Sequence, residues 1–386
     1  MLPYPWDKPF NHLIPSYSPL LLLLVKRTEL NQRMSTKQEI IAGFDPDVVG
    51  QNNGHLFGLP FAYEHSALAI IPVPWDVTVS YSDGTSDAPE AILEASPQLD
   101  FFDPDMPEAW KVGFHLTQVS KEIKQLGQDL RTKATEYISF LENGGDVTRN
   151  TDMQSVLQEL NVSCGMLHQR VKEKALELMA DGKMVALLGG DHSTPLGLIQ
   201  ALAEKLAEFA VLQLDAHMDL RDAYEGFEFS HASIMYNVLK VPQVKRLVQV
   251  GIRDYCKSEA LLAENSNGRV KVFYDREIKN AQYIGKSWDV ICDDIVAHLP
   301  DKVYISFDID GLDPKLCPHT GTPVPGGLEF EQAVYLFRKV VHAGKTIIGF
   351  DLNEVGPGND EWDANVGARM LWKLCVFTAL SNNLKA

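Results

Sequence analysis

Phe209-Ala210-Val211-Leu212-Gln213-Leu214-Asp215-Ala216-His217-Met218-Asp219 runs apolar for the length of a strand and then breaks into Asp, His and Asp at alternate positions. Two similar transitions flank it in the chain. An apolar run from Met184 to Leu188 enters Gly189-Gly190-Asp191-His192-Ser193, and Val303 to Phe307 enters Asp308-Ile309-Asp310. Alternate residues of a strand point to one side. Asp215, His217 and Asp219 therefore converge if strand geometry persists past Leu214, and Asp308 and Asp310 repeat the device. A mainly carboxylate set with imidazoles suits two hard divalent cations, with one or two carboxylates bridging them. Four negative charges then face four positive ones. Taken singly, an Asp after a strand equally well caps a helix or shapes a loop. Three matching sets at three strand ends point instead to one binuclear metal site at the carboxyl edge of a parallel sheet, made from His192, Asp215, His217, Asp219, Asp308 and Asp310.

From Ala67 onward short apolar runs alternate with amphipathic stretches, the signature of βα units. Strands are predicted at 67–72, 184–188, 209–214, 246–251, 270–274, 303–307 and 346–352. Helices are predicted at 153–179, 196–208, 287–297, 329–342 and 364–380, the first with apolar positions at Val156, Leu157, Leu160, Cys164, Leu167 and Val171. The fold class is α/β, a three-layer α/β/α arrangement around a mostly parallel sheet. No repeat, low-complexity tract or linker divides the chain, so one domain over 66–386 follows an irregular arm over 1–65. Open sheets of this kind bind ligands at the carboxyl ends of their strands, where all three clusters fall.

The 386 residues, 45% hydrophobic, suffice for one large α/β domain. A formal charge of -17 without a basic cluster excludes a nucleic-acid partner and fits a small cationic substrate. Cys164, Cys256, Cys292, Cys317 and Cys375 are scattered and odd in number, which indicates neither a disulfide framework nor a thiolate zinc site and favours a reducing, cytoplasmic location. The aliphatic run from Leu20 to Val25 falls far short of the ~20 residues a membrane span needs, and no basic leader or cleavage pattern accompanies it. The first 33 residues are Pro-rich, and Met34-Ser35-Thr36-Lys37 reads as an alternative start, so the extension is expected to be dispensable.

At these residues the chain resembles the arginase/agmatinase (ureohydrolase) family, whose signatures are Gly-Gly-Asp-His-Ser, Asp-Ala-His-x-Asp and Ser-x-Asp-x-Asp-x-x-Asp-Pro; the last is intact from Ser306 to Pro314. The resemblance runs from Leu68 to the C-terminus and takes in Pro72-Val73-Pro74-Trp75-Asp76, Val250-Gly251-Ile252-Arg253 and Gly321-Thr322-Pro323. It implies one metal held by His192, Asp215, Asp219 and Asp308 and a second by Asp215, His217, Asp308 and Asp310, with a bridging hydroxide as nucleophile. It further implies His231 as a proton shuttle, followed here by Ala232 where relatives usually carry Gly. Glu354 would be the carboxylate that clamps a guanidinium through paired hydrogen bonds. Asp191 is expected to orient its neighbours or cap the next helix. Trimers or hexamers are implied by the resemblance alone.

The loop after Asp219 lacks the Asn and Ser pair with which arginases read an amino-acid head, and His231-Ala232-Ser233 and Thr322-Pro323-Val324-Pro325 depart from the agmatinase pattern. These departures, with Trp75 and Trp362 near expected site loops, are similar to the guanidine hydrolase branch, which makes urea and ammonia from guanidine with nickel. Nickel is therefore favoured over manganese through that branch. Agmatinase or guanidino-acid hydrolase activity is the alternative, and a catalytically silent metal-binding scaffold is the reading from another class.

Overall fold

The computed structural model describes residues 36–385. The readings that concern the first 33 residues and Met34 lie outside them. The described residues up to Gly43 form a unit of their own, whose helix Lys37–Gly43 starts in a reciprocal cap: Glu39 N donates to Thr36 Oγ1 at 3.3 Å, and Thr36 N to Glu39 Oε2 at 2.7 Å.

From Phe44 onward the chain builds an eight-stranded sheet in the order β2-β1-β3-β8-β7-β4-β5-β6, every pair parallel. Its strands are β1 Leu68–Val73, β2 Phe114–Leu116, β3 Met184–Gly189, β4 Phe209–Leu214, β5 Val244–Ile252, β6 Val270–Tyr274, β7 Lys302–Asp308 and β8 Thr346–Asn353. With helices on both faces this is a three-layer α/β/α fold, wholly rather than mostly parallel. Because both faces are covered, the central strands read as nearly unbroken apolar runs: every residue of β1 and β4 is buried.

Seven of the strands lie where the apolar runs place them. The eighth, β2, is three residues long and was not predicted; it pairs only along Leu68, Ala69 and Ile70 of β1. That shortness admits Pro72 into β1. Ile70 O accepts from Thr117 N at 2.9 Å on the β2 side, so the missing N–H of Pro72 faces the same side after β2 has ended. The predicted helices appear as Thr151–Ala180, Leu196–Lys205, Trp288–Ala297, Phe330–His342 and Trp362–Ser381. A further helix, Lys121–Glu142, was missed although Ser120 caps it, its hydroxyl accepting from Ile123 N. None of the helices among the described residues is long and apolar enough to cross a membrane.

At the carboxyl edge the ends of β4 and β7 nearly touch. A Cβ on Gly311 would lie 2.7 Å from Asp215 N and 2.9 Å from Leu214 C, closer than packing allows. Arg253, just past β5, holds the same corner by donating to Gly251 O, Asp310 O, Leu312 O and Val324 O. Gly311→Ala is expected to push the two strand ends apart, costing about 1–3 kcal/mol as an overpacked site does. A chemical-denaturation midpoint equal to that of the parent would contradict this packing.

Candidate active site

The carboxyl ends of β3, β4 and β7 bring all six sequence-predicted metal ligands together. His192 Nδ1 lies 3.0 Å from Asp215 Oδ2, 3.2 Å from Asp219 Oδ2 and 3.2 Å from Asp308 Oδ2. His217 Nδ1 lies 3.0 Å from Asp310 Oδ2 and 3.6 Å from Asp215 Oδ1. Two overlapping groups with metal-ligand spacing result, one of His192, Asp215 and Asp308 and one of Asp215, His217 and Asp310, with Asp215 common to both.

Three of the aspartates share a device. Asp215 Oδ1 accepts from His217 N at 2.6 Å, Asp308 Oδ1 from Asp310 N at 2.8 Å, and Asp310 Oδ1 from Ala216 N at 3.0 Å. Each carboxylate is fixed by one oxygen and turns the other inward. Asp219 arrives differently. The strand ends at Leu214, His217 keeps a lone parallel bridge to Asp254, and Asp219 takes a left-handed backbone, φ 53°. Strand geometry therefore does not carry through to Asp219; its carbonyl is held by Met235 N and Tyr236 N at the start of the next helix.

The tautomer of His192 shows that the residues fit a cation. Ser306 Oγ donates its single proton to Asp351 Oδ1 at 3.0 Å, so toward His192 Nε2, 2.8 Å away, it accepts. The proton sits on Nε2, and the lone pair of Nδ1 faces three carboxylate oxygens. Nδ1 has no aligned hydrogen-bond partner among the described residues. A buried lone pair aimed at anions is stable only with positive charge between them. Where no cation intervenes, the same crowding of carboxylates draws protons in instead. Burial drives Asp308 well above the carboxylate range, with Asp310 and Asp215 adding to it, and pushes Asp219 up to about 7 with Asp215 adding. Against burial, the surrounding carboxylates raise His192 well above its usual value, and Asp310 and Asp215 push His217 up to about 12.

Glu354 and His231 meet beside this cluster. His231 Nδ1 is 3.4 Å from Glu354 Oε1, and its Nε2 is 3.3 Å from Ser80 Oγ. Glu354 outweighs burial and raises the His231 imidazole. Glu354 Oε1 also accepts from His192 N at 2.9 Å, whereas Oε2 is buried and without a partner among the described residues. A cavity of about 170 Å³ opens onto His217, Asp219, Asp308, His231, Ser80 and Thr322. Asp191 stays out of the metal groups and shapes the turn, Oδ1 accepting from Ser193 N at 2.8 Å.

The two tryptophans expected near the site do not line this cavity. Trp75 is 1% exposed within the apolar core, and Trp362 is half exposed with its indole N–H on Lys315 O. The aromatics that do line it are Tyr224 and Tyr255. Sequence reasoning also passed over Gln213, Gln249, Asp351 and Asn353. Gln213 Nε2 donates to Asp215 Oδ2 at 2.7 Å and Gln249 Nε2 to Gln213 Oε1 at 2.6 Å. Their signal was a polar side chain inside a buried strand.

A parallel sheet between two helical layers, its central strands ending in two overlapping groups of metal-ligand spacing, is the architecture of an α/β protein able to hold divalent cations at the carboxyl edge of its sheet. Comparison with known proteins places it further: residues 66–376 match the Arginase family, and the chain belongs to that family. It is 33% identical over 310 residues to an N(1)-aminopropylagmatine ureohydrolase of Thermus thermophilus, covering 80% of this chain and 89% of that one. An agmatinase of Neisseria meningitidis is 28% identical, with 84% and 91% covered. Among solved structures, the agmatine ureohydrolase of Thermoplasma volcanium superposes with a TM-score of 0.64 at 21% identity, covering 90% of this chain and 99% of that one. Proclavaminate amidino hydrolase from Streptomyces clavuligerus gives 0.63 at 21% identity, covering 86% and 99%.

Ser306→Ala removes the acceptor that fixes His192, and divalent-metal affinity is expected to fall by about 10–100-fold. Calorimetric titration of the metal-stripped variant checks this; parental affinity would remove Ser306 from the site.

Proposed function

We propose that this protein hydrolyses a guanidino C–N bond, releasing urea, with one divalent metal held by His192, Asp215, Asp219 and Asp308 and the other by Asp215, His217, Asp308 and Asp310. The observation that carries the reading is the bare His192 Nδ1 turned toward three carboxylates, with the His231–Glu354 pair alongside. When bound, a pair of divalent cations supplies a water of lowered pKa and the charge that attack on a resonance-stabilised guanidinium carbon needs.

The chain's own groups do the remainder. Glu354, by the resemblance, would orient the planar cation through a charge-assisted bond; its Oε2 is buried beside Gly321 and without a partner among the described residues. His231, favoured in its protonated form by Glu354, delivers a proton from Nε2 to the departing nitrogen, because a C–N bond breaks only when the amine leaves protonated. For guanidinium the balance is water plus one cation giving urea and ammonium.

Two substrate readings have separate supports. Relatives named for agmatine and aminopropylagmatine support a long amine-bearing substrate. The departures from the agmatinase pattern at Ala232 and Val324 support guanidine, the reading put to the test here. Nickel is preferred to manganese through the guanidine hydrolase resemblance; a cytoplasmic location and a trimeric or hexameric assembly belong to the same proposal. Of the arm expected over 1–65, residues 44–65 pack into the same unit as the sheet, Phe57 buried against Phe114 and Trp372, so the catalytic domain is proposed to begin at Phe44 rather than at 66.

Urea formation by protein loaded separately with nickel and manganese, scored on guanidine, agmatine, 4-guanidinobutyrate and arginine, tests the reading. Guanidine is expected to be turned over best. His231→Ala should keep its metals and lose about 10²–10⁴ in turnover, while Asp308→Ala should lose both. Preference for agmatine would overturn the guanidine reading, and full metal content without urea from any substrate would overturn the enzyme.

A further inference from the structure

The loop from Leu220 to Ser230 borders the cavity and brings a positive charge to it. Arg221 and Tyr224 both line the cavity, with the Arg221 guanidinium 4.8 Å over the Tyr224 ring. The loop is built to hold that pair. Arg221 N donates to Ala232 O, next to His231, at 3.1 Å. Tyr224 and Phe227 exchange backbone hydrogen bonds around a tight turn in which Glu225 and Gly226 are both left-handed, φ 54° and 86°. Phe227 is fully buried against Tyr137, ring centroids 5.3 Å apart. A turn so anchored presents its side chains in one arrangement before any ligand arrives.

We propose that Arg221, stacked on Tyr224 at the cavity mouth, is the specificity-determining residue that rejects guanidino substrates carrying a second positive charge. This rests on the ureohydrolase reading above and adds the chemistry of the substrate's far end. Arginine has five donors and no acceptor, so a terminal ammonium meets both like charge and a lack of hydrogen-bond partner. A bare guanidinium has no far end to be repelled, and a tail ending in carboxylate is attracted. Glu259, which also lines the cavity, lies with Oε2 3.8 Å from Arg221 Nε while its oxygens accept from Leu220 N and Cys256 N, so it anchors the guanidinium and offsets part of its charge. Asp254, exposed at the same mouth, is the competing feature, an acceptor for an ammonium tail.

Agmatine and 4-guanidinobutyrate have tails of similar length and opposite terminal charge, which separates charge from size. In the metal-loaded parent, kcat/KM for 4-guanidinobutyrate is expected to exceed that for agmatine. Arg221→Gln should reduce that ratio by about tenfold, the scale of one like-charge contact at a partly exposed site. Arg221→Glu should invert it, and Arg221→Lys should retain most of it. Calorimetric affinities in a His231→Ala background should follow the same order without turnover. A ratio unmoved in Arg221→Glu at full metal content overturns the assignment. So does a parent that prefers agmatine and loses that preference in Asp254→Asn, which would give the mouth to the carboxylate. The parent reading fails separately: a metal-loaded parent that yields no urea from guanidine or either tailed substrate removes the function and this inference with it.

Discussion

Four buried aspartates gathered at one pocket set the terms for the rest of the molecule. Buried carboxylates are costly unless each finds donors or a cation, and here the backbone supplies donors to one oxygen of each of three aspartates. Asp215, Asp308 and Asp310 each tie one oxygen to a backbone N–H and leave the other facing the centre. Charge is thereby concentrated where cations belong, and the loops that carry it are fixed by the same bonds. A single hydrogen bond serves as both scaffold and aim.

Beneath that layer lies a second, almost wholly buried one. From His192 a chain of hydrogen bonds passes through Ser306, Asp351 and Asn353 to Thr194, and from Asp215 another passes through Gln213 to Gln249. These residues sit in or beside β3, β8, β7, β4 and β5, which are consecutive in the sheet. The network therefore runs across five neighbouring strand ends, so a change of register in any one would leave a buried polar group unpaired. Gly189 belongs to the same constraint: a Cβ there would fall 1.9 Å from Asn353 Oδ1, in the space this network occupies.

The fold was legible where burial on two faces forces a plain pattern. Strands of a covered parallel sheet are apolar over most of their length, so β1, β3, β4, β5, β6, β7 and β8 stood out, whereas β2 is too short to leave a pattern. The helix Lys121–Glu142 escaped because its buried face includes Gly127, Ala134 and Tyr137 among only a few residues, and charged positions dominate the rest. The positions that converge at the site were readable because chemistry clusters at strand ends. Which aromatics face the cavity was not, since Trp75 and Tyr224 differ in where their loops turn rather than in composition. Gln213 and Asp351 were open to notice as polar residues in apolar runs, yet their roles follow only from the partners across the sheet.

Backbone strain shows how tightly the parts are joined. Asp219 and Glu354 have φ of 53° and 62°, a region that costs residues with a Cβ roughly 1–2 kcal/mol each. Neither side chain would choose it, so the surroundings must impose it. For Asp219 the carbonyl is captured by Met235 N and Tyr236 N. For Glu354 the N–H is captured by Gly190 O at 2.8 Å while its carboxylate takes His192 N, so two bonds tie the end of β8 to the turn after β3. Glu354 and His192 are thus held by one another's segments, the strained backbone of Glu354 on Gly190 O and the N–H of His192 on the Glu354 carboxylate, so relaxing the end of β8 would shift the turn that carries His192.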